Sequence, residues 1–218
     1  TAAIVLSLSI ALPLGILAAS KPNSALDHAI NFSCFISISV PPFWLALLAI
    51  IVFSVKLGWL PAGGMGIAGD GSEDSLRYII LPVGVLTLLN TGSYIRFIRA
   101  SMIQVLRQDF IRTARAKGAS TAQLLINHAL RNAALPFITI IALSFGSLFS
   151  GALITETMFS WLGLGKMIFD SVLGNDFNLA LVGLLLATLM TLIGNILADA
   201  TYAWIDPRMA SSRWKYDP

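Results

Sequence analysis

Half of the fourteen lysines and arginines in this 218-residue sequence fall in one stretch: Arg96, Arg99, Arg107, Arg112, Arg115, Lys117 and Arg131, opposed there only by Asp109. A local charge near +6 attracts anionic lipid or the acidic surface of a partner. Other residue types that do chemistry are sparse. His28 and His128 lie far apart, with no cluster of carboxylates or thiols around either, so a bare metal ion has no ligand set. Cys34 is the single cysteine, which excludes an internal disulfide and a thiolate cage. The six methionines are scattered, so no thioether path forms. Gly165-Lys166-Met167 lacks both the upstream glycine and the hydroxyl residue after lysine that a phosphate-cradling loop needs. The residues therefore predict no catalytic group and no cofactor on this chain. Any phosphate chemistry belongs to another polypeptide.

The elements that position the basic stretch are apolar. Hydrophobic residues make up 56% of the sequence and charged ones 11%, against roughly 25% charged in soluble domains. Mean hydropathy is +0.81. A water-soluble enzyme and a disordered chain are both excluded, and the reading is an all-α integral membrane protein with one transmembrane domain over residues 1–218. Five stretches are long enough to cross a hydrocarbon core of about 30 Å: 1–19, 29–55, 78–98, 136–155 and 179–203. Pro41-Pro42 interrupts the second, and two missing N–H donors predict a kink or break there. Gly63-Gly64, Gly66 and Gly69-Asp70-Gly71 mark the segment after it as a loop.

Orientation follows from the basic residues beside the spans. The 20–28 turn, the 96–135 segment and the tail from Trp204 share one side and carry eleven of them. The other side has Lys56, Arg77 and Lys166 among six carboxylates. The basic segment and the C-terminus are thus expected in the cytoplasm, with Thr1 outside. Thr1 follows no initiator Met, basic leader or cleavage site. An external start running straight into a span is expected of a fragment that lacks at least one earlier span.

Within the basic segment, Phe97, Met102, Ile103, Val105, Leu106, Phe110 and Ile111 recur at near-helical spacing, with arginines on other faces. Ala114, Ala116, Gly118, Ala119 and Ser120 make a patch of small side chains. Gly118 stops or bends the first helix, and Ser120 or Thr121 caps a second through Leu130. The picture is a helix–glycine–helix elbow with a shaved tip that another helix can approach closely. Charge alone fits equally an amphipathic hairpin lying on anionic lipid. A nucleic-acid-binding helix is disfavoured, because spans on both sides pin the segment to the membrane.

Arg112-Thr113-Ala114-Arg115-Ala116-Lys117-Gly118, followed by His128-Ala129-Leu130-Arg131-Asn132-Ala133-Ala134-Leu135-Pro136, resembles the "EAA" coupling loop of ABC-importer permeases, in the form of the dipeptide, oligopeptide and nickel branch. Three further segments resemble that branch in order along the chain. They are Val40-Pro41-Pro42-Phe43-Trp44-Leu45 ahead of Leu60-Pro61-Ala62-Gly63-Gly64, then Glu156-Thr157-Met158-Phe159-Ser160-Trp161-Leu162-Gly163-Leu164-Gly165, then Asp206-Pro207-Arg208. Two features depart from the general permease motif: Arg112 stands where it has Glu, and the gap from Gly118 to Leu135-Pro136 is longer. Both fit the peptide branch. Leu162 replaces a proline expected before Gly163, so 161–176 is open to a different packing.

The resemblance implies six spans in a whole permease, the first span and an external segment being the part missing here. It implies a transport subunit without its own nucleotide site, half of a pathway for small peptides or a related solute. It also implies partners: a second permease subunit, usually a paralogue; two cytoplasmic ATPases carrying ATP and Mg; and a soluble binding protein outside a bacterial or archaeal inner membrane. In this reading Arg112, Thr113, Ala114, Arg115, Ala116, Lys117, Gly118, Ala119 and Ser120 form the ATPase-coupling helix and tip.

A pathway needs polar or small faces turned from lipid. Asn90, Thr91 and Ser93 in the third span are the first candidates, then Ser144 and Ser147 in the fourth, with Glu156 at its outer end. Small residues at four-residue spacing in the fourth and fifth spans (Ser144, Ser147, Gly151, Thr155; Gly183, Ala187, Thr191, Asn195, Asp199) fit helix packing as well as transport. An intramembrane enzyme would need ionisable groups converging at depth, and the spans hold almost none. A secondary carrier driven by an ion gradient is the remaining alternative; it would favour intramembrane carboxylates or an inverted repeat.

Overall fold

The computed structural model describes residues 2–65, 72–130, 132–133 and 152–205, and every regular element among them is helical. The helices are α1 (Ala2–Ser20), α2 (Ala25–Ser39), α3 (Pro42–Ala49), α4 (Ser72–Leu106), α5 (Asp109–Ala116), α6 (Thr121–Gln123), α7 (Leu153–Met158), α8 (Leu164–Leu173) and α9 (Phe177–Ile205). α3 and α6 continue as wider π-helical turns over Ile50–Lys56 and Leu124–Leu130.

α1 and α4 form the spine. Every fourth residue of α1 is small (Ala3, Ser7, Ala11, Gly15, Ala19), and all five are buried. A ridge without long side chains lets two helix backbones close on each other, which is how helices associate where lipid removes the hydrophobic incentive. A Cβ on Gly15 would come 2.7 Å from Cγ2 of Ile98. Ser7 Oγ donates to the carbonyl of Ala3 at 2.6 Å and lies 3.2 Å from that of Thr87. Ser7 thus stands level with Thr87 and Gly15 with Ile98, so the two helices run parallel.

α2 returns in the opposite sense. Asp27 lies beside Arg99, a Cβ on Gly92 would meet the Cys34 carbonyl at 2.9 Å, and Ser37 Oγ donates to the Leu88 carbonyl. Val40 and Pro41 are extended (ψ 124° and 136°). Each precedes a proline ring that disfavours helical backbone, and neither Pro41 nor Pro42 donates to the preceding turn. The helix breaks there, and the Pro42–Lys56 half stands at 96° to α2.

Three helices, Ala2–Ser20, Leu76–Leu106 and Phe177–Leu197, are long and apolar enough to cross a membrane, and the bent pair makes a fourth if it is one span. Most of the expected 136–155 span, with Ser144, Ser147 and Gly151, lies outside the described residues, as do Leu135-Pro136 and Asp206-Pro207-Arg208. The third span exceeds its expected 78–98. α4 is one helix of 35 residues, roughly 52 Å long at 1.5 Å per residue. Its extension carries Ile98, Met102 and Val105 into a core shared with Ala11 and Ala19 of α1 and with Ile111, Leu124 and Ala129 beyond. α9 leans on α8, where Gly183 receives Ile168 and Met167. Leu181, Leu185, Leu189, Leu192 and Ile196 on its other faces are exposed.

Candidate functional site

The elbow is built by local hydrogen bonds. α4 does not run on through the basic segment to Gly118 as the periodicity predicts, but ends at Leu106. Gln108 is extended (φ −77°, ψ 155°) and starts a separate helix, α5. The turn keeps Ile111, 1% exposed, on the same core as Met102 and Val105. Ala114 and Arg115 lie three and four residues on, the same side of the helix as Ile111. Arg112, Thr113, Arg115, Ala116 and Lys117 are exposed, and Arg112 reaches Asp109 only at 3.5 Å, with both side chains largely in solvent.

α5 ends at a glycine for a specific reason. Gly118 has φ +88°; its N–H donates to Arg115 O at 3.0 Å and the next N–H, of Ala119, to Ala114 O at 3.2 Å. This pair of bonds closes a helix only when the residue between is left-handed, which glycine does without penalty. Ser120, not Thr121, caps the following helix. Its Oγ accepts from Gln123 N–H at 3.3 Å, and Gln123 Oε1 accepts from Ser120 N–H at 2.9 Å, a reciprocal capping box. Leu124 and Ala129 then enter the core. The tip is bare: a Cβ on Gly118 would meet nothing within 4 Å. A rigid base and an open tip make a surface suited to insertion into a groove.

At the other end of α4, two of the motif segments meet. The Gly64 N–H donates to Phe159 O at 2.8 Å, and a Cβ on Gly63 would lie 2.6 Å from that oxygen. Phe159 is 1% exposed and packs with Ala46, Leu81 and Val85. Glu156 ties the rest together. Its carboxylate accepts from Ala152 N–H at 3.0 Å and Lys166 N–H at 2.9 Å, clamping α7 to the start of α8 across the 159–163 loop. Gly163 and Gly165 lack the Cβ atoms that would strike that carboxylate. Ser160, at φ 52°, turns the chain back. Lys166, the lysine of the discounted phosphate-loop remnant, pairs with Asp170 at 2.5 Å. Two buried polar atoms in this knot, Thr157 Oγ1 and Trp161 Nε1, have no hydrogen-bond partner among the described residues.

The pathway candidates separate. Thr91 Oγ1 donates to Thr87 O at 2.6 Å, Asn90 is half-buried and Ser93 exposed. Gly92 between them is the contact with α2. Glu156 directs its oxygens to backbone N–H groups rather than to these residues. In the fifth-span stripe Gly183 and Ala187 are buried, while Asn195 and Asp199 are exposed.

The Asp27–Arg99 pair was not among the expected site residues. Asp27, 1% exposed, takes Nε and Nη2 of Arg99 at 2.6 and 2.7 Å, Asn31 Nδ2 at 2.7 Å and Asn23 N–H at 2.8 Å. It fixes the start of α2 to α4 just above the elbow. The partners are 72 residues apart, so no local pattern reveals them. The α1 ridge was not singled out either, although its small residues recur at every fourth position.

Residues 11–211 match the family described as binding-protein-dependent transport system inner membrane component. The chain is 40% identical over 207 residues to the oligopeptide transport system permease protein AppB of Bacillus subtilis, covering 94% of this chain and 66% of that protein. It is 36% identical to the di/tripeptide transport system permease protein DppB of Pseudomonas aeruginosa (91% and 65% covered). It is 34% identical to the dipeptide transport system permease protein DppB of Escherichia coli K12 (95% and 68% covered). The chain thus spans about two thirds of the length of these curated relatives.

Proposed function

Because the chain belongs to the family of binding-protein-dependent transport system inner membrane components, we propose that it is a permease subunit of an ATP-driven importer, forming half of a pathway for small peptides or a related solute. The observation that carries the mechanism is the elbow: a capped, core-anchored turn whose tip residues Lys117, Gly118 and Ser120 are exposed. Two cytoplasmic ATPase subunits, holding ATP and Mg, take the 112–120 segment in their grooves. A second permease subunit completes the pathway, and a soluble binding protein delivers the cargo to the outer face. The relatives named for peptides support that cargo class.

Five spans cross a bacterial or archaeal inner membrane, with the elbow and the C-terminus in the cytoplasm. The parallel run of α1 and α4, with α2 returning between them, supports this alternation. The hinge of the scheme is α4. When the ATPases close, α5 is displaced, and the core of Met102, Val105, Ile111 and Leu124 passes the displacement to α4 and α1. Coupling of this kind requires that the ATPases bind the two permease states with different affinity, and it runs in both directions.

The test is uptake of a labelled dipeptide by proteoliposomes holding the full complex. Gly118→Leu is expected to insert and assemble normally, hydrolyse ATP, and lose ATP-dependent uptake. Normal uptake by that variant, or uptake that persists on ATP depletion with ion gradients clamped, overturns the proposal.

A further inference from the structure

The inner side of the elbow carries a second feature, distinct from its tip. A cavity of about 180 Å³ opens between the end of α1, the end of α4 and the start of α6. Its walls include Ile103, Leu106 and Leu124, and its polar lining includes Arg107, Arg115 and Ser20. Arg115, four residues on from Ile111 and on its side of α5, lines the cavity, and Arg112 does not. Neither Arg107 nor Arg115 pairs with a carboxylate among the described residues. The nearby acids are spoken for: Asp27 is held by Arg99 and Asp109 is approached by Arg112. The level in the membrane is set by α1, whose apolar run ends at Ala19-Ser20 and gives way to Lys21. Two guanidiniums at a membrane boundary, above apolar walls, match an amphiphile with an anionic head.

We propose that this cavity binds the headgroup phosphate of an anionic phospholipid, with Arg107 and Arg115 forking onto its oxygens and Ile103 and Leu106 lying along the first carbons of an acyl chain. Free phosphate shares the head chemistry, but it has no use for the apolar walls. A bound lipid would brace α5 against α1 and α4 from behind, while the tip remains free for a partner. The inference rests on the membrane placement given under Proposed function, and not on the coupling role of the tip.

The experiment is lipid titration of the purified complex, read by native mass spectrometry and by thermal unfolding, in nanodiscs of phosphatidylcholine with and without phosphatidylglycerol. One phosphatidylglycerol per copy of this chain is expected to be retained above the phosphatidylcholine background and to raise the melting temperature. Arg107→Ala/Arg115→Ala should weaken that binding about thirtyfold, at about fivefold per arginine. Arg107→Lys/Arg115→Lys, which keeps the charge but not the fork, should lose less. Arg77→Ala, at the far end of α4, should lose nothing. Equal retention of both lipids, displacement by millimolar inorganic phosphate, or unchanged affinity in the alanine pair overturns the assignment. Lipid binding lost with dipeptide uptake intact sinks this inference alone; uptake absent with lipid still bound sinks the coupling scheme instead.

Discussion

Removing Arg99 tests whether the α2–α4 junction is held by charge or by shape. In Arg99→Ala the Asp27 carboxylate, 1% exposed, loses two of its four donors and keeps Asn31 and Asn23. Breaking a fully buried pair by taking one partner costs about 3–5 kcal/mol. The arginine side chain is 24% exposed, so some of its solvation survives folding and the low end, about 3 kcal/mol, applies. Asp27→Ala should cost less, about 1–2 kcal/mol, because the partly exposed guanidinium can turn to water while a buried carboxylate cannot. The double variant should cost less than the sum, with a coupling of about 1–3 kcal/mol. Unfolding of the purified protein in detergent, followed by tryptophan fluorescence, supplies the four free energies of the cycle. The Lys166–Asp170 pair, whose carboxylate is 53% exposed, serves as a contrast, where coupling below about 1 kcal/mol is expected. Additive losses at Asp27 and Arg99, or a larger loss for Asp27→Ala than for Arg99→Ala, would refute the reasoning.

Glu156→Gln should destabilise by about 1.5–3 kcal/mol, since an amide leaves an N–H group facing an N–H donor at Ala152 or Lys166; equal stability to denaturant would remove the clamp from the account. Leu162→Pro should be neutral or stabilise by about 0.4–1 kcal/mol, read as a raised melting temperature. Gly163 N–H donates to Trp161 O at 2.9 Å across Leu162, a γ-turn whose φ near −75° suits proline. Gly118→Ala and Gly118→Leu should share a cost of about 1 kcal/mol from the left-handed backbone. Only the leucine should interrupt ATP-dependent uptake, because only it crowds a partner.

Much of this architecture was legible before any coordinates. Pro41-Pro42 announced the break, since two rings without N–H donors leave no continuous helix. Gly118 and Ser120 announced the elbow, because each residue type performs its terminating or capping task with its own backbone or side chain. The stop at Gln108 was not legible. Nothing in Leu106-Arg107-Gln108-Asp109 breaks a helix, and it is the demand that Ile111 return to the Met102 core that turns the chain. Motif resemblance marks 60–64 and 156–165 but does not set them against each other. Their union is made by a backbone carbonyl at Phe159 and a positive φ at Ser160, neither of which residue type encodes. Asp27 carries no local signal of its role, because its partner Arg99 arrives through tertiary folding.

The clamp at Glu156 has a consequence for how such a chain diverges. Its bonds run from one carboxylate to main-chain N–H groups, and its fit depends on side chains that are missing at Gly63, Gly163 and Gly165. Identity is therefore demanded of the acid and the glycines, while an outward residue such as Leu162, 78% exposed, is free to drift. A lineage can rewrite the outward surface of this loop without disturbing the scaffold that presents it.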